Sequence, residues 1–252
     1  MAQTDWKRLV AYSSVSHMGM VMLGMFALTP VGLTGSIIQQ VNHGISTGAL
    51  FLIVGVLYER THTRRLADYG GVAALMPRFA AVFTIVMLSS AALPGTNGFA
   101  GEFLILLGAF RASRWWAALA AGGVILSVVY LLWAYQQVMH GPVQAVHRER
   151  LVDLRPRELA VFAPLVVLIF GIGLYPRVLL DRSEPTVAAA VARVSAAVEQ
   201  PAPAARAVVE RPTPAARAAV EQTAPAARAV VQRPTPAARA GHVPAAPEPF
   251  LR

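Results

Sequence analysis

Long apolar runs, each near the length of a membrane crossing, alternate with short polar connectors along the first 180 residues. Leu9–Leu28 reads LVAYSSVSHMGMVMLGMFAL and Ser36–Leu57 reads SIIQQVNHGISTGALFLIVGVL. About 20 helical residues at ~1.5 Å rise cross a hydrocarbon core of ~30 Å, so both read as spans. TPVGLTG (29–35), rich in helix breakers, predicts a turn between them. A third run opens at MPRFAAVFTIVMLSSAA, is interrupted at LPGTNGF, and resumes as EFLILLGAF before Arg111. Residues 78–92 and 98–110 fall short of the ~17–25 that a crossing needs, so the two pieces read as one broken helix. Further spans cover about Trp115–Val138 and Leu159–Leu180. The pattern predicts an all-α polytopic membrane protein with five crossings, one of them broken, in a domain of residues 1–182.

Residues 183–252 form a different kind of sequence. PAAR recurs at 203, 214, 225 and 236, a period of eleven. An eleven-residue apolar repeat favours a right-handed helical supercoil, but proline in every unit forbids a continuous helix. The expectation is a disordered Ala/Pro/Arg tail, with a tether or binding arm as the alternative.

Composition narrows the chemistry. Only 14% of the 252 residues are charged, and 56% are hydrophobic. The absence of cysteine excludes thiolate-held iron–sulfur clusters, disulfides and Cys-ligated zinc in this chain. The net charge of +9 lies in loops and tail, which argues against a nucleic-acid surface. MAQTDWKRL lacks the parts of a signal peptide and reads as a polar loop entering a helix. On the side of the N-terminus lie Lys7, Arg8, Arg60, Arg64, Arg65, Arg78, Arg148, Arg150, Arg155 and Arg157; opposite lie Arg111, Arg114, Arg177 and Arg182. Ten against four makes the first side cytoplasmic and, with an odd number of crossings, puts the tail outside.

Three ionisable residues fall inside the spans: His17, His43 and Glu102. Such groups are costly in lipid and mark ion pathways. His17 follows Tyr12, Ser13, Ser14 and Ser16; an alternative is a structural histidine bonded to a nearby carbonyl. His43 has Gln39, Gln40, Ser46 and Thr47 three or four residues away, on one helix face. Amides and hydroxyls around an imidazole can pass protons, since neutral imidazole both donates and accepts. The other reading is a polar helix–helix seam. Glu102 has only Gly98, Phe99, Ile105 and Leu106 as helical neighbours, so its partner must come from another helix. Pro94, Gly95, Asn97 and Gly98 break the helix beside it, and irregular backbone at membrane depth is tolerated only in protein or around a water-filled cavity. A packed kink with a neutral structural glutamic acid is the alternative. Lys7 and Glu59 stand at helix ends, where long side chains reach water.

KRLVAYSSVSHMG (7–19), VNHGISTGALFLIVGVLYERTHTRRL (41–66) and ALPGTNGFAGEFLILLGAF (92–110) resemble the subunit M (chain 4) family of proton-pumping NADH–quinone oxidoreductase, respiratory complex I. The resemblance covers about residues 5–182 and implies an antiporter-like membrane-arm subunit that moves protons while partner subunits pass electrons to quinone. It implies that His17 and His43 belong to a central polar axis and that Glu102, on a discontinuous helix, terminates the proton channel. It also implies that NADH, FMN, iron–sulfur clusters and quinone are held by partners, with no cofactor on this chain. Family members carry two inverted five-helix repeats, and this chain matches only the second. The first repeat's lysine, that lysine's partner glutamate and the connecting lysine have no counterpart, so the expectation is either a separate polypeptide that supplies those helices or a truncated or split reading frame. Two other readings stay open: a subunit of a multi-subunit sodium/proton antiporter, and a structural element of the membrane arm that does not conduct.

Overall fold

Helix starts are fixed by short polar caps and prolines, and they shift two of the expected boundaries. A computed structural model describes residues 3–142 and 150–199. Its helices are α1 (Trp6–Phe26), α2 (Pro30–Thr61), α3 (Val72–Leu75), α4 (Pro77–Ser90), α5 (Asn97–Ala112), α6 (Arg114–Met139), α7 (Pro156–Leu174) and α8 (Arg177–Glu199), with a 3₁₀ turn at Leu66–Asp68. Residues up to Ser195 make one compact unit; of the second, Ala196–Arg252, only the end of α8 lies among the described residues. The repeats from 203 onward and Arg148 lie outside them.

The expected turn at 29–35 is helical. Thr29 caps α2 by accepting from the Gly32 N–H at 3.1 Å, and Pro30 takes the first helical position, where a missing N–H costs nothing. The two residues read as breakers thus start the helix, and the chain reverses over Ala27 to Thr29, with Leu28 in the left-handed region at φ 51°. At the other end the last span stops at Leu174, short of the expected Leu180. Pro176 cannot donate into α7, and its carbonyl instead accepts from Leu179 and Leu180 to begin α8. The helix then continues through Pro185 to Glu199, past the boundary expected at 182. Alanine, valine and leucine dominate that stretch, and they sustain a helix until the proline repeats begin.

Among the described residues four helices, α1, α2, α6 and α7, are long and apolar enough to cross a membrane; α4 is apolar but shorter. A ladder of contacts along α2 places α4 and α5 end to end beside it. Ser46 faces Ser89, Asn42 faces Asn97, and Gln39 faces Glu102. Further along, a Cβ at Gly35 would fall 2.7 Å from the Ile105 nitrogen, and Gly108 packs on the backbone of Gly32. The pairing descends α2 as it ascends the two half-helices, so the halves run end to end and antiparallel to α2. Absent side chains at Gly35 and Gly108 are what allow this approach, as at many intramembrane helix seams. Between the halves the chain turns through Ala92 (φ 54°) and Gly95 (φ 91°); the latter suits glycine, which carries no Cβ to strain there. Asn97 and Gly98, expected to interrupt the helix, open α5 instead.

One end of the bundle is tied polar group by polar group. The Trp6 and Leu66 N–H groups donate to the carbonyls of Arg64 and Thr4, and the Gly71 N–H donates to that of His140. Arg60 grips both Glu158 oxygens at 3.0 and 2.9 Å and donates to the Val152 carbonyl at 2.7 Å. Asp153 accepts from the N–H groups of Arg78, Phe79 and Leu154 at 2.9, 3.0 and 2.8 Å. Burial pushes the Asp153 carboxyl up, but those three N–H groups and the Arg78 charge outweigh it and hold it below the usual carboxylate value. This end also carries Lys7, Arg64, Arg65, Arg78, Arg150 and Arg155, whereas Arg111 and Arg114 stand at the opposite end. Beneath the ties lies an apolar core around Trp6, Leu57, Phe79, Phe83 and Val138. In lipid its contribution is close packing more than escape from water.

Candidate functional site

Glu102, on the second turn of α5, is 5% exposed, and its carboxylate meets side chains from two other helices. His17 Nδ1 of α1 lies 3.0 Å from Glu102 Oε1, and Gln39 Nε2 of α2 donates to the same oxygen at 3.2 Å. The close approach is possible because residue 101 is glycine: a Cβ there would lie 3.0 Å from the Gln39 Cα. Gln39 donates to Oε1, and whether His17 Nδ1 donates to that oxygen or accepts from it depends on the imidazole tautomer.

His43 stands one turn along α2 from Gln39, half-buried, its ring centroid 5.9 Å from that of His17. His17, Gln39, Asn42, His43, Ser46, Thr47, Ser89, Ser90 and Gly98 surround a polar cavity of about 10 Å³, room for about a single water. Gln39 Oε1, Asn42 Oδ1, His43 Nε2 and Ser90 Oγ are buried in its vicinity without a hydrogen-bond partner among the described residues. Polar atoms in that state favour bound water or a mobile proton over an apolar filler. On its far side a cleft of about 460 Å³ between α1, α5 and α6 is lined by Met20, Leu23, Trp116 and Leu119, and it reaches Glu102, Ser16 and Ser127. His17 and Ser90 line both spaces.

A lock of asparagines and serines holds the helix break against α2. The Asn42 amide donates to the Asn97 carbonyl at 2.6 Å, and the Asn97 amide donates back to the Asn42 carbonyl at 3.3 Å. Asn97 Oδ1 accepts from Ser89 at 2.6 Å and from Ser46 at 3.3 Å, and the two hydroxyls are 2.7 Å apart. Asn97 is fully buried. It joins the last turn of one half-helix to the first turn of the other, which replaces backbone bonds that the break removes.

The residues singled out in the sequence separate into two groups. His17, Gln39, His43, Ser46, Thr47, Gly98 and Glu102 gather at the site, and Asn97 adjoins it. Gln40 does not: it is exposed and donates to the Ser36 carbonyl at 3.4 Å, because a residue three positions before His43 turns to the flank of the helix. Lys7 is exposed at the second residue of α1, and Pro94 is exposed in the turn. Glu59 is likewise exposed near the end of α2. Asn42, Ser89, Ser90, Ser127 and Tyr130 were not singled out. The paired serines just before the LPG break carried the one available signal, hydroxyls placed where helix carbonyls and amides run out of partners.

The chain resembles known proteins in sequence and fold. Residues 1–129 match the profile of the family described as NADH:quinone oxidoreductase/Mrp antiporter, TM. The chain is 47% identical over 188 residues to NADH-quinone oxidoreductase subunit M of Rhodobacter capsulatus, covering 75% of this chain and 37% of that protein. Among solved structures, it superposes on a chain of respiratory complex I from Thermus thermophilus with bound NADH at a TM-score of 0.65 and 40% identity, over 74% of this chain and 40% of that one. It also shares the fold of a chain in the Mrp complex from Dietzia sp. DQ12-45-1b, with a TM-score of 0.64 and 24% identity over 74% and 43% of the two chains. The chain thus spans little more than a third of the length of the curated relatives it matches. By a profile match over half its residues, joined to a broken helix with a buried acid, the chain belongs to the NADH:quinone oxidoreductase/Mrp antiporter transmembrane family.

Proposed function

We propose that this chain is a membrane-arm subunit of a NADH–quinone oxidoreductase and takes part in proton translocation coupled to electron transfer to quinone. The observation that carries the reading is the Glu102–His17 pair: a buried acid on a broken helix, 3.0 Å from an imidazole, with a second histidine across a polar cavity. Glu102 takes and releases the proton, and His17 and His43 pass it on. Gln39, Ser46 and Thr47 hold the cavity polar.

The 47% identity to subunit M, against 24% to a chain of an Mrp complex, favours the oxidoreductase over a cation antiporter. Redox chemistry belongs to partners that hold NADH, FMN, iron–sulfur clusters and quinone. Those partners include other membrane-arm subunits and a polypeptide supplying the helices that match the rest of the relatives' length. Loop charge orients the chain in the plasma (inner) membrane with the arginine-rich end cytoplasmic and the region after α7 outside.

The test is Glu102→Gln in the assembled complex, with NADH oxidation and proton uptake into vesicles measured together. The amide keeps the shape and cannot ionise, so pumping should fall while assembly holds. Unchanged pumping would remove Glu102 from the path. Proton movement driven by a sodium gradient without NADH would assign the chain to the antiporters.

A further inference from the structure

A second set of buried hydroxyls leaves the Glu102 site along α1 and α6, away from the α2–α5 seam. Ser16 Oγ of α1 lies 3.0 Å from Ser127 Oγ of α6, and Ser127 is buried. One turn on, the Tyr130 hydroxyl is buried against the hydroxyls of Ser127 and Ser13, at standard hydrogen-bond geometry to neither. Ser13 is also buried and spends its proton on the Val10 carbonyl at 2.9 Å. Ser16 and Ser127 line the same cleft as Glu102 and His17. α1 begins and α6 ends at the tied end of the bundle, and the row Ser127, Tyr130 against Ser16, Ser13 points that way.

The Tyr130 ring packs against the apolar core, but packing does not account for its hydroxyl. Leucine, valine and alanine dominate the rest of α6. A tyrosine whose hydroxyl is buried normally finds a partner, because an unpaired one costs about as much as a lost hydrogen bond. A hydroxyl can accept one proton while releasing its own, which returns it to the starting state with no net change. A row of them therefore carries protons without holding charge.

We propose that Ser16, Ser127 and Tyr130 form a second relay arm of the Glu102–His17 site, a row of hydroxyls that shares its proton along the α1–α6 contact as far as Tyr130, where the apolar core of Leu9, Val10, Leu131 and Val138 begins. The arm rests on the reading of Glu102 as a proton-loading site. It makes the site a junction of two branches: one through His43 and the cavity on α2, the other through hydroxyls on α1 and α6.

The experiment compares Tyr130→Phe, Ser127→Ala, Ser127→Thr and Glu102→Gln in the assembled complex in native membranes. Proton uptake per NADH oxidised is read in H₂O and in D₂O. Tyr130→Phe keeps the ring and removes a hydroxyl that makes no standard bond, so assembly should be untouched. The expected result is uptake lowered about five-fold in Tyr130→Phe and Ser127→Ala, the scale of one hydrogen bond added to a barrier. The H₂O/D₂O ratio should also be larger than the parent's, and Ser127→Thr, which keeps the hydroxyl, should restore uptake. Parental uptake and isotope ratio in Tyr130→Phe, with Glu102→Gln impaired, overturns the arm and leaves Glu102 standing. Parental uptake in Glu102→Gln overturns both. Loss in Ser127→Thr equal to that in Ser127→Ala also overturns it, because the effect is then one of packing.

Discussion

Two carboxylates, Glu102 and Asp153, are each satisfied by groups from elsewhere in the chain, but by donors of opposite kinds. Asp153 accepts from three backbone N–H groups, of Arg78, Phe79 and Leu154. Those donors are fixed by the peptide plane and never titrate, so the acid is held ionised and the start of α4 is held with it. Glu102 meets the His17 ring and accepts from the Gln39 amide, both on side chains, and one of them can itself lose or gain a proton. The first arrangement anchors; the second can change state without unfolding anything. A buried acid is therefore informative about function mainly through what donates to it, since only a titratable donor lets the charge move.

The comparison can be broken most severely at Asn97. Asn97→Ala removes the Oδ1 that Ser46 and Ser89 share and the amide that donates to the Asn42 carbonyl, while the Asn42 amide keeps the Asn97 backbone carbonyl and the two serines keep each other. It should cost about 3 kcal/mol, at ~1–3 kcal/mol per group left short of a partner. Thermal unfolding in mild detergent reads this, and a variant as stable as the parent would show that the break needs no lock. Next comes Asp153→Ala, which removes the cap of α4 and should cost about 2 kcal/mol.

The same residue sharpens the contrast through pH. Because the folded carboxyl lies below its usual value, its contribution is complete above the unfolded value, near 4, and drains as pH falls through the lower folded one. Part of the parent's loss of stability in that acid window should be missing in Asp153→Ala. An identical acid profile would contradict the assignment. Glu102→Gln should change stability by less than about 1 kcal/mol, since the amide still accepts through its oxygen, even as proton uptake falls. Smallest of all, Gln40→Ala on the exposed flank should leave stability within about 0.5 kcal/mol and uptake at the parental rate.

Much of this was legible in the chain because lipid leaves few options. The four long apolar helices follow from apolar run lengths, and the end-to-end pairing of α4 and α5 fits halves too short to span alone. Glu102 stood out because its helical neighbours are apolar, so its partner had to come from elsewhere; His17 and Gln39 supply it. Other features escaped for physical reasons. Pro30 reads as a breaker within a run of breakers, yet at the first turn of a helix it costs no hydrogen bond, and Thr29 beside it is a cap. Gln40 and Ser46 both stand three residues from His43, rotated about 60° in opposite senses, and only the Ser46 side faces Ser89 and Asn97. The Asn42–Asn97 lock depends on two segments 55 positions apart, and no local pattern announces it. Tyr130 was hidden in an apolar run, and of the two hydroxyls near its own, Ser127 is one turn before it on α6 and Ser13 is on α1.

The ladder along α2 has a mechanical meaning. A fracture set across a straight rod, and bound to it above and below, cannot open as a free hinge. Ser89 and Asn97 grip α2 at Ser46 and Asn42, and Gly35 and Gly108 press α5 against it further on, so α2 splints the fracture. Any widening of the gap at Pro94 and Gly95 must drag or turn the splint, and His43 and Gln39 ride on it. Strain at the fracture and the placement of Gln39 and His43 beside Glu102 are thus set by one stiff element.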